Sequence, residues 1–127
     1  MFQIRLMTWN RIRLDLARTT DFPQGSADIA YLLDLPLGED SRLDEKQLRA
    51  EPERARVLRS LPDAPDLVGY LVRASDGWAF SYAPGERDDE SVFHLETHAI
   101  RPGEYLTLTE SDGRRLPLRV TSVQALG

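Results

Sequence analysis

The chain has 127 residues, 41% of them apolar and 29% charged, the proportions of one folded domain able to bury a core without covalent staples. It contains no cysteine, which excludes disulfides, thiolate metal sites and cysteine nucleophiles. With 21 Asp and Glu against 16 Lys and Arg, a net charge of −5, it lacks the general basic surface that nucleic-acid or anionic-membrane binding requires, so neither partner is expected.

Met1–Trp9 is interrupted by Gln3 and Arg5 and is too short for the apolar core of a signal peptide. Residues 1–10 are expected to be a disordered lead-in, residues 11–127 a single β-rich domain, and the cytoplasm is the default location. Arg5, Arg11, Arg13 and Arg18 make the first twenty residues locally basic against Asp15 alone. Lys46 is the only lysine, which points to a codon bias toward arginine more than to phosphate recognition.

Alternation over 11–18 places Ile12, Leu14 and Leu16 on one face, as in a half-buried strand. A loop over 19–26 leads to a second strand over 27–35, with Ile29, Tyr31, Leu33 and Leu35 together. Ser41 and Asp44 resemble a capping box that opens a short helix over about 44–50, ended by Pro52. Residues 53–61 have the composition of a helix. Ala55, Val57 and Leu61 also alternate, interrupted by Arg59, and the short connections on either side favour a strand. After a proline-bearing loop at 62–66, strands are expected at 67–74, 78–82, 92–97, 105–110 and 116–123.

Asp76-Gly77 and Asp112-Gly113 are read as type I′ hairpin turns, where both central residues need positive φ. Pro84-Gly85-Glu86 and Pro102-Gly103-Glu104 suit type II turns. The pattern predicts a mainly β fold, a small antiparallel barrel or sandwich of about seven strands with one short helix.

On a strand, residues two apart share a side. His94, Glu96 and His98 therefore line one face of the strand expected at 92–97, and two imidazoles with a carboxylate are a ligand set for zinc or non-haem iron. The strand rise separates the outer two by roughly 13 Å at Cα, so a divalent ion needs a bend or a further ligand. The ordinary reading of the same row is a solvent-facing polar face, since Phe93 and Leu95 supply the core side. Trp78, Phe80 and Tyr82 form an aromatic stripe that suits core packing, or a ligand pocket lined by Trp78 and Tyr82. The acidic run 86–90 lacks the spacing of a calcium loop and reads as a solvated loop. Neither a Gly-x-Ser-x-Gly elbow, a P-loop, a dinucleotide fingerprint nor His-Glu-x-x-His is present.

Two resemblances accompany these residues. Arg-Leu-Asp-Leu-Ala-Arg (13–18), Pro-Gln-Gly-Ser (23–26), Phe-Ser-Tyr-Ala-Pro-Gly-Glu (80–86) and Arg-Pro-Gly-Glu-Tyr-Leu-Thr-Leu-Thr-Glu (101–110) resemble a family of small uncharacterised bacterial proteins. That resemblance implies a bacterial, intracellular protein and carries no catalytic role to any residue. The His-x-Glu-x-His run is similar to the first cupin motif, His-x-His then Glu, but departs in order and lacks a second motif with a further His. The expectation is a binding module without catalysis, for a small molecule or a protein, needing no cofactor. Its alternatives are a metal-dependent cupin-like enzyme on His94, Glu96 and His98, with a metal-bound water as its working group, and a structural or sheet-edge adaptor subunit. Oligomeric state is not legible in the sequence.

Overall fold

The computed structural model describes residues 7–74, 77–85, 87–92 and 94–126. Within them run eight strands: β1 (Thr8–Leu16), β2 (Ser26–Leu37), β3 (Arg56–Leu61), β4 (Ala64–Ala74), β5 (Gly77–Ser81), β6 (Glu90–Val92), β7 (Tyr105–Thr109) and β8 (Arg115–Ala125). Each pairs antiparallel with the next, and β8 returns to β1. The fold is thus mainly β with one short helix, α1 (Glu45–Ala50), and of the two expected architectures it is the closed barrel.

Alternation explains the closure. Ile12 and Leu14 on β1, Tyr31, Leu33 and Leu35 on β2, Val57 on β3, Phe80 on β5, Leu108 on β7 and Leu118 and Val120 on β8 all point inward and are essentially buried. A barrel of eight strands is just wide enough for such side chains to fill it. Outward positions carry the charge. Arg11 lies directly opposite Asp34 and donates to both its oxygens, Nε–Oδ1 at 2.9 Å and Nη2–Oδ2 at 3.0 Å, while Arg13 Nε meets Asp15 at 2.8 Å. Two arginines of the basic start, Arg11 and Arg13, are therefore paired on the outer wall.

The two ends of the barrel differ. The β2–β3 connection carries Leu43 and Leu48, the β6–β7 connection carries Leu95 and Ile100, and all four join the interior core. The Ile100 amide donates to the Ser41 carbonyl at 2.8 Å, tying the two connections together. That end is plugged. The other is rimmed by the β1–β2, β3–β4, β5–β6 and β7–β8 connections, none of which holds a helix among the described residues.

Local details correct several expectations. Asp44, not Ser41, caps α1, accepting from the Gln47 amide at 3.0 Å; Ser41 instead sits at φ 64°. Strand wins at 53–61, where Pro52–Arg54 makes one 3-10 turn and β3 follows. The 62–66 loop shrinks to a tight turn with Leu61 opposite Ala64, because a register shift between Arg59 and Leu61 takes Pro65 into β4. Gly77 pairs with Ala74, so the first Asp-Gly turn lies outside the described residues. The second is not type I′. Gly113 alone supplies positive φ, 90°, and its amide donates to the Glu110 carbonyl at 2.9 Å, closing a three-residue loop.

The largest departure follows β6. This strand ends at Val92, His94 takes the left-handed conformation (φ 50°, ψ 40°), and Leu95–Thr97 forms a 3-10 turn. The turn places Leu95 in the core at the plugged end.

Candidate functional site

The interior face of β5 carries Trp78 and Phe80, and Tyr82 continues it just beyond the strand. Glu90 stands opposite Phe80 in the ladder and is 3% exposed. On the far side of the barrel Tyr31 of β2 lies opposite Arg59 of β3. These side chains converge across the lumen. Tyr82 donates its phenolic hydrogen to Glu90 Oε1 at 2.6 Å, Tyr31 donates to Oε2 at 3.4 Å, and Arg59 Nη1 lies 3.5 Å from Oε2. The Arg59 guanidinium also stands 5.2 Å above the Tyr82 ring.

Gly69 makes room for this arrangement. A Cβ there would fall 2.1 Å from the Ser81 carbonyl oxygen and 2.9 Å from Tyr82 Cδ1. Gly69→Ala is therefore expected to displace the end of β5, destabilising the protein by about 1–3 kcal/mol in urea unfolding, with Tyr82 fluorescence or its NMR resonances altered. An alanine variant of unchanged stability would remove Gly69 as the residue that seats Tyr82.

Burial sets the electrostatics. Desolvation raises the Glu90 carboxyl above its ordinary 4.5, against the opposing pull of Tyr82 and Arg59. Both phenols are pushed up as well, by desolvation first. The charge of Glu90 comes next for Tyr31, and the hydrogen bond to Glu90 for Tyr82. Tyr31 and Tyr82 are thus fixed donors throughout the physiological range.

At the open end this cluster meets a cavity of about 440 Å³. Leu16, Phe22, Ile29, Leu61, Pro62 and Leu116 give it apolar walls; Tyr31, Arg59 and Glu110 provide polar groups, with Asp21, Asp63, Arg114 and Arg115 also on its lining. A larger groove of about 640 Å³ lies along Asp15, Arg18, Gln24, Tyr105 and Arg119. Its lining is mostly surface side chains and includes none of the Tyr31–Arg59–Glu90–Tyr82 cluster, so the mouth is the better candidate site.

No family model, curated protein or solved structure matches this chain.

The residues singled out from the sequence therefore have to be placed by geometry. Tyr82 belongs to the cluster. Trp78 lies deeper on the same face, 4% exposed, with Arg73 5.1 Å from its ring, and lines no part of the mouth cavity. The stripe of Trp78, Phe80 and Tyr82 faces inward. His94, Glu96 and His98 do not form a row, because the strand that would align them is a 3-10 turn. Among the described residues no three His, Asp or Glu side chains gather where they could hold a metal ion.

Glu90, Arg59 and Glu110 are the site residues that the sequence reading passed over. Glu90 falls in the acidic run 86–90 that reads as a solvated loop, although the step from Glu90 to Val92 continues the inward alternation of β6. Arg59 stood out as the break in the alternation of β3, and a charge at an inward position is itself the signal. Chemically, the mouth offers apolar walls, the Tyr31 phenol and the Arg59 guanidinium, both of which contact the buried Glu90 carboxylate that Tyr82 also holds.

Proposed function

We propose that this protein is a small-ligand binding module whose site is the open mouth of the barrel. The observation that carries the reading is the coincidence of an apolar-walled cavity of about 440 Å³ with the Tyr31–Arg59–Glu90–Tyr82 cluster at the only barrel end that no helix or buried connection plugs among the described residues. Pockets of this size with few convergent polar groups are where small molecules bind, and barrel mouths are a common place for them.

A neutral probe separates this reading from any preference for charge. N-phenylnaphthylamine is expected to bind saturably, one per chain, with enhanced fluorescence. Leu61→Trp, which fills the mouth from a half-buried position, is expected to weaken it roughly tenfold while the circular dichroism spectrum is retained. Unchanged probe affinity in a folded Leu61→Trp variant would rule out the mouth.

The outer wall favours a second reading, protein binding. Leu32, Leu58 and Val68 lie side by side across β2, β3 and β4, and beside them Val68 and Tyr70 are about half exposed, at 50% and 46%. An adaptor role would not run through a free sheet edge, since closure pairs every described strand on both sides.

A further inference from the structure

The polar groups at the mouth are unequally satisfied. Glu90 has donors on both oxygens, Tyr82 on Oε1, and Tyr31 with Arg59 on Oε2. Glu110 Oε1 takes Arg114 Nη2 at 3.3 Å. Asp21 and Asp63 stand exposed, where water serves them. Arg59 is the exception. Its guanidinium carries five donors, yet its ion pair with Glu90 is 3.5 Å long, well beyond the roughly 2.7–2.9 Å of a strong charge-assisted bond. Its Nε is buried with no partner. Its side chain is still 22% exposed and lines the cavity. Nε is shut away from any occupant, so what Arg59 lacks is an acceptor at its terminal nitrogens.

We propose that the occupant is an amphipathic organic carboxylate, its head group paired with the Arg59 guanidinium and its apolar body against Leu16, Ile29, Leu61 and Leu116. This rests on the mouth being the ligand site. A planar carboxylate matches the guanidinium fork and satisfies two of its donors at once. A phosphate dianion suits the place less well, because Glu90 and Glu110 already bring two carboxyl groups to it. An amine would be repelled by the guanidinium, and the carboxylates of the mouth are either bonded to arginine, as Glu90 and Glu110 are, or open to water, as Asp21 and Asp63 are. The apolar walls contribute to any occupant with a hydrocarbon body, so the head group alone decides the preference.

Titration calorimetry with three probes of one chain length, octanoate, octanol and octylammonium, isolates that head group. Octanoate is expected to bind about tenfold or more tightly than octanol, and octylammonium most weakly. Replacing Arg59 alone strands a buried carboxylate, so the decisive protein is the double variant Arg59→Gln with Glu90→Gln. There octanoate falls to the affinity of octanol, while octanol, reporting an intact cavity, is unchanged. Equal affinities of octanoate and octanol for the wild type, or a preference for octylammonium, overturn the carboxylate assignment and leave the mouth as a ligand site. Saturable binding by none of the three overturns both.

Discussion

At neutral pH, Arg59→Met lowers the unfolding free energy by about 3 kcal/mol, the lower end of the range for removing one partner of a buried ion pair. The lower end applies because the contact to Glu90 Oε2 is long, 3.5 Å, and Arg59 keeps 22% exposure. Methionine preserves much of the apolar stem over the Tyr82 ring, so the loss reports charge more than packing. What remains is a carboxylate 3% exposed, with Tyr31 and Tyr82 alone to serve it among the described residues. Urea unfolding at about pH 7 and again at about pH 5 separates the causes, since a protonated Glu90 needs no cation. The deficit is expected to shrink at the lower pH. A deficit equal at both values would mean that Arg59 acts by packing alone.

Glu90→Gln flattens the pH dependence of stability and raises the melting temperature at neutral pH. The folded-state carboxyl lies above its ordinary 4.5, chiefly through desolvation. Between those two values the folded protein holds a proton that the unfolded chain has released, so folding takes up a proton and stability falls as pH rises. The contribution is complete below the unfolded value and gone once pH has passed the folded one. Glutamine keeps the shape and an acceptor for Tyr82 while remaining neutral at every pH. Melting temperatures measured across this interval for both proteins are expected to converge on the acid side and to diverge toward neutrality, with the variant higher. A wild-type curve that instead rises with pH as the variant stays level would show that Tyr82 and Arg59 outweigh burial at Glu90.

Much of the barrel was legible because alternation is a local property that burial enforces. Ile12-x-Leu14-x-Leu16 and Tyr31-x-Leu33-x-Leu35 state an inward face within five residues each, and a slip of one residue would turn that face to water. The failures lie where tertiary contacts decide. Residues 94–98 alternate as well as a strand does, yet the chain turns there and places Leu95 in the core at the plugged end. The strand that was to hold His94, Glu96 and His98 in a row went with it. The cluster was hidden for a different reason. Tyr31 and Glu90 are 59 residues apart and sit on strands four places apart in a ring of eight, so their contact exists only once the barrel closes. Tyr82 was singled out for its ring, but its hydroxyl is what binds Glu90.

The most direct test of the mouth as a ligand site is an amide-resolved NMR titration of the wild-type protein with N-phenylnaphthylamine, whose rings shift the resonances of the residues they touch. Saturable shifts are expected, centred on Leu16, Ile29, Tyr31, Arg59, Leu61 and Leu116, with the outer row of Leu58, Val68 and Tyr70 undisturbed. Shifts centred on that outer row or on the 94–98 turn, with the mouth silent, would contradict the mouth as the ligand site.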